Sequence, residues 1–257
     1  MKSQVQMTYG TPLNMGAIEL QYSVMVFDNQ FGCTGTAIGP RHVITASKCL
    51  GRFYESKSVE VISFSGPRPV THKVVKAIRH PYEKVASQLP NSSSVLGSDI
   101  ALLLVEKPMT TSGITIARPE QNLQEPLKLT GFGRDENDQT NGLPRNIRSA
   151  AGWKSASAGN GYGIIGFLKG DGLPCWGDEG APSASGGLLV GIVSNVWITQ
   201  NRSPSLKCSD VENAVLTDVR LMRGWLKCSS AQLDAPLEQV KDAIDDARCA
   251  KNEILDF

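Results

Sequence analysis

The sequence predicts an all-β protein that ends in helical segments. Up to about residue 217, the 257-residue chain consists of short runs rich in valine and isoleucine, separated by clusters of glycine, proline, serine and asparagine. Many short strands at fairly regular spacing favour a barrel or sandwich over alternating strands and helices. The chain is 40% hydrophobic and 20% charged, which is typical of a folded globular protein.

The predicted strands follow one another along the first 200 residues. They are residues 22–28, 42–46, 58–65, 99–106, 126–133 and 187–198. The stretch 108–125 lacks clean periodicity and is predicted to connect two halves of the strand-rich region. The longest apolar run, "GGLLVGIV", has the length of a strand and is too short to cross a bilayer, so no membrane span is expected.

The pattern changes after residue 217 to helical spacing. A helix over 218–228 is predicted by the spacing of Val219, Met222, Trp225 and Leu226. A second, amphipathic helix is predicted in the tail, residues 229–257, by Leu237, Val240, Ile244 and Ala247. The tail holds seven acidic residues against three basic ones. A surface helix packed on the barrels is the favoured interpretation, and a partner-binding face is the alternative.

The cysteines and sequons predict an extracellular protein. No pair among the six cysteines has the close spacing of a zinc site, so disulfides are expected and neither a metal nor a cofactor is. Two sequons, at Asn91 and Asn201, agree with a secreted glycoprotein. The N-terminus lacks the apolar stretch of a signal peptide, so either the protein stays inside the cell or this is a mature form, and the even number of cysteines favours the second. The net charge of +1 gives no reason to expect nucleic acid.

Five motifs, in order, resemble those of chymotrypsin-like serine proteases. The motifs are "FGCTGTAIGPRHVITASKC" (31–49), "SDIALLLVEKP" (98–108), "LPCWGDEGAP" (173–182), "GIVSNV" (191–196) and "NAVLTDVRLMRGWL" (213–226). They resemble the segment before the catalytic histidine, the strand with the catalytic aspartate, the nucleophile turn, the pocket strand, and the final strand with its helix. Each motif is weak alone, but the ordered set identifies the chain as a member of this family.

The resemblance implies a fold of two packed antiparallel six-stranded β-barrels within residues 7–228. Barrel one covers about 22–107, barrel two about 126–217, and a C-terminal helix follows over 218–228. It also implies that Cys33 pairs with Cys49 and Cys175 with Cys208. By elimination, the third pair joins Cys228 to Cys249, and an intermolecular bridge at Cys249 is the alternative.

The catalytic positions of the family depart from its pattern. The resemblance places Lys48 at the histidine position, Asp99 at the aspartate position and Glu179 at the serine position. Family catalysis needs a serine hydroxyl and a histidine base, so only Asp99 matches. None of the remaining candidates for a base, His42, His72 and His80, is expected to replace the histidine. A lysine facing carboxylates favours its protonated form, and a carboxylate is a poor nucleophile toward an amide.

Other devices of the family are altered as well. The primary pocket has Leu173 at its floor and Val196 and Ala214 at walls that are usually glycine, which predicts a closed or shallow pocket. In the family, a new apolar N-terminus pairs with the aspartate before the serine, which is Asp178 here. The corresponding terminus at Met7 lacks the expected pattern, so normal activation is not expected. Gly177 and Gly180 keep the tight turn possible.

These observations predict an inactive protease homologue that acts by binding an extracellular protein, such as a protease, an inhibitor or an immune component. The alternatives are an enzyme with relocated hydrolytic chemistry that uses Asp99 and Glu179, and a structural or oligomeric protein. One candidate surface is the basic stretch 66–84, which would bind an acidic partner or a polyanion. Its basic residues are Arg68, Lys73, Lys76, Arg79 and Lys84. Ordinary exposed charges on a strand are the other interpretation.

The former triad is predicted to form a charge cluster. A buried lone charge costs several kcal/mol, whereas a paired one need not. The Lys48 nitrogen is therefore expected within about 4 Å of a carboxylate oxygen of Asp99, Glu179 or both. In the alternative, Glu179 turns into solvent and Lys48 pairs with Asp99 alone.

Overall fold

The architecture is mostly β, with two sheets and a helix near the C-terminus. The computed structural model describes residues 11–14, 16–27, 32–53, 59–81, 99–111, 113–121, 127–134, 148–153, 155–158, 164–168, 174–198, 208, 211–244, 249 and 254–256. The strands are β1 (Thr11–Pro12), β2 (Ser23–Phe27), β3 (Gly32–Ala37), β4 (His42–Thr45), β5 (Glu60–Ser63), β6 (Val70–Arg79), β7 (Ala101–Val105), β8 (Thr115–Ile116), β9 (Leu127–Gly131), β10 (Arg148–Trp153), β11 (Ser155–Ala158), β12 (Ile164–Leu168), β13 (Pro182–Ser185), β14 (Leu188–Ile198), β15 (Val211–Asp218) and β16 (Ile254–Asp256). The α-helices are α1 (Ser47–Phe53) and α2 (Arg223–Gln232), and short 3₁₀ helices cover Ile18–Gln21, Val219–Met222 and Glu238–Val240.

The first sheet closes into a six-stranded antiparallel barrel. Its strand order is β16-β6-β5-β2-β3-β4-β7, and β6 also pairs with β7. The ten-residue strand β6 makes closure possible, because residues 70–73 pair with β5 and residues from 74 onward pair with β7. The short strand β16, from the C-terminal tail, adds to β6 outside this barrel.

The second sheet runs in the order β1-β10-β9-β13-β14-β15-β12-β11, with β8 parallel to β14. Strands β10 and β11 stand near opposite ends of this path, and residue 154 alone separates them in the chain. Closure into a second six-stranded barrel is not confirmed by the pairings of the described residues and stays a prediction. The predicted connector contributes β8, so it joins the second sheet.

Each of the six predicted strands contains an observed strand. These are β2, β4, β5, β7, β9 and β14. The sequence of β7 is an unbroken apolar run because both faces of this strand are buried. Ala101, Leu103 and Val105 face the inside of the closed barrel. Leu102 and Leu104 face a second core between the two sheets and α2, because alternate residues of a strand point to opposite faces.

The predicted C-terminal helix is confirmed. The segment Val219–Met222 is a 3₁₀ helix, whose first turn is capped by the Asp218 side chain, which accepts a hydrogen bond from the Arg220 backbone N–H at 3.1 Å. The α-helix α2 then extends to Gln232, beyond the predicted end at residue 228. Trp225 is fully buried in the core between the sheets, so the helix closes that core.

The predicted amphipathic tail helix is not confirmed: within the described part of the tail, the chain forms the 3₁₀ helix Glu238–Val240 and the strand β16. Leu237 and Val240 are buried as the apolar pattern requires, but Ile244 is 90% exposed. The Gln239 side chain accepts a hydrogen bond from the Ile116 backbone N–H at 2.7 Å and donates to the carbonyl groups of Ile38 and Ile114. Hydrogen bonds to distant backbone groups therefore replace those within a helix, and tertiary packing overrides the local pattern.

All three disulfides are formed as predicted. Cys33 pairs with Cys49, Cys175 with Cys208, and Cys228 with Cys249, with Cα–Cα distances of 6.4, 5.5 and 6.0 Å. Because the six cysteines of the chain are all used, the intermolecular bridge at Cys249 is not formed. The sequons at Asn91 and Asn201 lie outside the described residues. No helix within the described ranges is long and apolar enough to cross a membrane.

Candidate functional site

The turn 177–180 is held in place by the first barrel. Gly177 and Gly180 have φ angles of +95° and +86°, which favour glycine. A Cβ atom on Gly180 would also collide with the Thr34 carbonyl oxygen, so glycine is required there for space. From β3, the Thr34 hydroxyl donates to the Gly177 carbonyl at 2.8 Å, and the Thr36 hydroxyl donates to the Gly180 carbonyl at 3.0 Å. The residues between these glycines are thereby fixed between the two sheets.

The carboxylate of Asp178 is fully buried beneath this turn. One oxygen accepts the Gly133 backbone N–H at 2.7 Å, and the other accepts the Cys175 backbone N–H at 2.8 Å. A Cβ atom on Gly133 would collide with the carboxylate, which explains the glycine at that position. Hydrogen bonds from the backbone offset the cost of burying the charge. Met7 lies outside the described residues, so the expected lack of N-terminal activation stays a prediction.

The side chain of Glu179 folds back into its own turn. Its Oε2 accepts a hydrogen bond from the Gly177 backbone N–H at 2.6 Å, and its Oε1 lies 3.6 Å from the Lys48 Nζ. The side chain is 4% exposed. The predicted pairing of Lys48 with a carboxylate is confirmed, and the alternative with Glu179 in solvent is wrong.

Lys48 lies at the start of α1, immediately after β4. Its Nζ donates to the Asn195 Oδ1 at 3.3 Å, in addition to its contact with Glu179, and its side chain is 28% exposed. Its backbone N–H donates to the Asp99 Oδ1 at 3.0 Å. Lys48 thus contacts both carboxylates, the one with its ammonium and the other with its main chain.

Asp99 connects the first barrel to the second sheet. Besides the Lys48 N–H, its Oδ2 accepts the Ser194 hydroxyl at 2.8 Å, and its carbonyl accepts the Thr217 hydroxyl at 3.2 Å. Sequence reasoning missed Ser194 as a partner. Ser194 lies at the register shift between Val193 and Asn195 in β14, and a β-bulge of this kind has no clear signal in a single sequence.

Comparison with known proteins places this arrangement in a family. A family model described as Trypsin matches residues 8–222. The chain belongs to the trypsin family. It is also similar to a trypsin of Simulium vittatum, with 25% identity over 226 residues that cover 77% of this chain and 85% of that protein. All of α2 and the tail that follows it, residues 223–257, lie beyond the family match.

Within the trypsin family, the position of the nucleophile supplies a hydroxyl and that of the base supplies an imidazole. At the positions that the motif resemblance assigns to these two groups, Glu179 and Lys48 form an ion pair. In the trypsin-like turn, the backbone N–H groups of the residues around the nucleophile stabilise the negative oxygen of the reacting group. The Gly177 N–H instead donates to the carboxylate of Glu179.

The pocket positions of the trypsin-family domain are described in part. Val196 of β14 and Ala214 of β15 lie opposite each other in register, and Ala214 is 1% exposed. The side chain of Val196 and all of Leu173 lie outside the described residues. A closed or shallow pocket therefore stays a prediction.

Each of the three histidines has a described contact away from the turn 177–180. The His42 Nε2 donates to the Ala235 carbonyl at 2.7 Å, the His72 Nε2 lies 2.9 Å from the Ser63 hydroxyl, and the ring of His80 packs on Trp225 at 5.2 Å between centroids. The donor on His42 is assigned from the carbonyl partner, which can only accept. Burial lowers the pKa of both His42 and His72, so their neutral forms are favoured.

The predicted basic surface coincides with β6 and the turn before it. Arg68 and Lys73 are exposed, Arg79 is half-buried, and Lys84 lies outside the described residues. Lys76 lies 3.8 Å from Asp234 of the tail, and β16 pairs with the same part of β6. Part of this basic surface is therefore covered by the acidic tail.

Metal ligation finds no support in the described ranges. No group of three or more His, Cys, Asp or Glu side chains there is arranged to hold a metal ion. The charged groups Lys48, Asp99 and Glu179 form a cluster through the Lys48 ammonium and backbone N–H, and the Asp178 carboxylate is held separately by backbone N–H groups.

Proposed function

We propose that this trypsin-family chain is a non-catalytic extracellular protein that acts by binding a protein partner. One observation carries the proposal. The Glu179 carboxylate accepts the Gly177 N–H and pairs with the Lys48 ammonium in the place where the family has its reacting groups.

The chemistry of acyl transfer supports this proposal. Hydrolysis of an amide by the family mechanism needs a nucleophile that can form an acyl-enzyme, a base that accepts its proton, and donors for the oxyanion. Residue 179 has no hydroxyl, residue 48 is an ammonium in contact with acceptors, and the Gly177 donor already has an acceptor. Each requirement is missing for a separate reason, so no single change supplies all of them.

Relocated hydrolytic chemistry with Asp99 and Glu179 is less favoured. A pair of catalytic carboxylates needs one acid and one base that face a substrate. The two Asp99 oxygens accept hydrogen bonds from the Lys48 N–H and the Ser194 hydroxyl, which uses them within the protein. Glu179 is 4% exposed, which leaves little of its carboxylate for a substrate.

The disulfides support the extracellular part of the proposal. Three intramolecular disulfides in one trypsin-family domain are compatible with an oxidising compartment and with secretion. The partner classes that fit such a protein are a protease, a protease inhibitor or an immune component. A polyanion is a further candidate for the basic residues of β6.

The proposal is tested by asking whether a captured partner survives intact. The purified protein is immobilised, incubated with the native extracellular fluid, and the bound proteins are identified by mass spectrometry of intact masses. We expect a partner that is retained at its full length after prolonged incubation. A captured protein cleaved at one defined bond by wild type, but not by Glu179→Ala, would contradict the proposal.

Relocated chemistry is tested by a broad screen of ester, glycoside and amide substrates with the same two proteins. We expect no turnover that depends on Glu179. Any substrate turned over by the wild type, and spared by Glu179→Ala, identifies the alternative.

A further inference from the structure

Strand β6 has an edge that its barrel neighbours leave open. Strand β5 pairs with residues 70–73, and β7 pairs with the other side of β6 from residue 74 onward. The side of residues 76–78 that faces away from β7 is occupied by β16, in the register Ile254 opposite Ile78, Leu255 opposite Ala77 and Asp256 opposite Lys76. We call this side of residues 76–78 the acceptor edge. An open edge presents unpaired N–H and C=O groups that bind an added strand.

The strand that fills the acceptor edge has a defined chemistry. Leu255 packs against the core inside the first barrel, while Ile254 is 40% exposed. Asp256 is opposite Lys76, and Lys76 also lies 3.8 Å from Asp234. The edge therefore accepts an apolar side chain next to a carboxylate, beside a basic strand.

The tail strand makes a small contact and depends on its tether. It pairs through three residues, whereas strands in globular proteins usually have about five or six. Cys249, five residues before Ile254, is joined to Cys228 of α2, and its carbonyl accepts a hydrogen bond from the Gln232 side-chain amide at 2.8 Å. A short tether gives an effective concentration on the order of mM, which holds a weakly bound strand in place.

We propose that the acceptor edge is the site at which an extended acidic segment of a partner protein adds as a strand and displaces β16. Lys73 and Lys76 provide positive charge that attracts such a segment, and main-chain hydrogen bonds provide much of the affinity. The tail is then a built-in competitor whose removal opens the site. This inference rests on the proposed binding function and names its surface.

The experiment measures peptide binding to the full-length chain when β16 is paired with β6 and when that pairing is weakened by substitution. The probe is a fluorescein-labelled peptide with the sequence of residues 252–257, "NEILDF". The substitution Leu255→Asp removes the apolar contact of the tail strand, and Ile244→Asp, at a 90% exposed position, is the matched control. We expect Leu255→Asp to bind the peptide at least about tenfold more tightly than wild type or the control, because the competitor with mM effective concentration is gone.

A second readout locates the bound peptide. Within residues 76–78, the backbone N–H groups that point away from β7 should exchange slowly in wild type, fast in Leu255→Asp, and slowly again when the peptide is added, whereas those that point toward β7 should stay protected throughout. If Leu255→Asp fails to fold, Asp256→Lys, which places like charges at Lys76, replaces it with the same expected direction. Equal peptide binding by variant and wild type, or protection that appears elsewhere in the chain, would overturn the inference. So would a concentration-dependent dimer that protects these amides without peptide, since a second copy would then be the occupant.

The titration and the proposed function can fail separately. Peptide binding at the acceptor edge involves neither Lys48 nor Glu179, so a failed titration leaves the non-catalytic proposal standing. Turnover that depends on Glu179 would end that proposal without changing the titration.

Discussion

The Glu179 carboxylate accepts a hydrogen bond from the Gly177 backbone N–H, two residues earlier in the same turn, at 2.6 Å. Its other oxygen faces the Lys48 ammonium at 3.6 Å. One side chain thus satisfies a main-chain donor of the turn and a nearby cation. This relationship explains why the lysine and the glutamate occur together, since either alone would leave a charged group in the site without its counterpart.

Glu179→Ala should lower the free energy of unfolding by about 1–3 kcal/mol, the usual cost of leaving polar groups without partners. The Gly177 N–H and the Lys48 ammonium would both lose their contact with the carboxylate. Urea denaturation measures this change. Glu179→Gln should lose less, because its amide oxygen can still accept the Gly177 N–H.

A matched control for this measurement is Glu238→Ala. Glu238 pairs with Lys241 at 3.1 Å, but both side chains are largely exposed. Exposed ion pairs contribute little, so a change within about 0.5 kcal/mol is expected. If Glu179→Ala and Glu238→Ala lower the free energy of unfolding equally, the buried pair of Glu179 and Lys48 does not stabilise the protein more than an exposed pair does.

Lys48→Glu should lower the melting temperature clearly, because it brings a third carboxylate beside Asp99 and Glu179. The double variant Lys48→Glu with Glu179→Lys restores opposite charges and should recover part of the loss. Differential scanning calorimetry of the two single variants and the double variant gives the coupling. Strictly additive losses would show that the two side chains do not interact.

The residues of this site could be predicted from the sequence, but most of the hydrogen bonds between them could not. Ordered motifs predicted Lys48, Asp99 and Glu179 as one cluster, and the length and charge of the lysine side chain predicted its pairing with Asp99, Glu179 or both. The structure shows the ammonium paired with Glu179. The role of Ser194 depends on a bulge in β14, and the partner of each Asp99 oxygen depends on the register between strands. A single sequence contains no direct signal for either.

Lys48→His combined with Glu179→Ser should not restore robust peptidase activity. The substitutions return a hydroxyl and an imidazole and release the Gly177 N–H. Val196 and Ala214 would still stand opposite each other where the family usually has glycines. The kcat/KM of the double variant on a fluorogenic peptide series measures this, and strong rescue by these two changes would show that the pocket is open.

Because of His42, the free energy of unfolding should decrease as the pH falls below neutrality. Burial lowers the pKa of His42 below its ordinary value of 6.5, the hydrogen bond to the Ala235 carbonyl opposes this shift, and the charge of Arg41 adds to it. The unfolded chain therefore binds a proton that the folded chain resists, so stability is complete above about pH 6.5 and declines below it. One such proton gives a slope of at most about 1.4 kcal/mol per pH unit.

The variant His42→Gln checks this assignment. Urea unfolding at several pH values between 7.5 and 5 should show a weaker pH dependence in the variant than in wild type. His72→Gln should remove a separate part, since burial also lowers the pKa of His72. An unchanged pH dependence in His42→Gln would assign the effect to other groups.

The tail shows where local pattern and structure diverge. Leu237 and Val240 were predicted to be buried on one face, and they are. The helix predicted from the same residues does not form in the described part of the tail, because the Gln239 side chain hydrogen-bonds to Ile116 of β8 and β16 pairs with β6. The conformation of the tail depends on contacts with residues distant in the sequence, and helical periodicity carries no information about such contacts.

The central claim is tested most directly by prolonged incubation of an unstructured, fluorescently quenched protein substrate with wild type and Glu179→Ala at equal concentrations. We predict that both samples release product at the same rate as buffer. Product release by wild type that Glu179→Ala abolishes would contradict the account, because the carboxylate at position 179 would then be a working catalytic group.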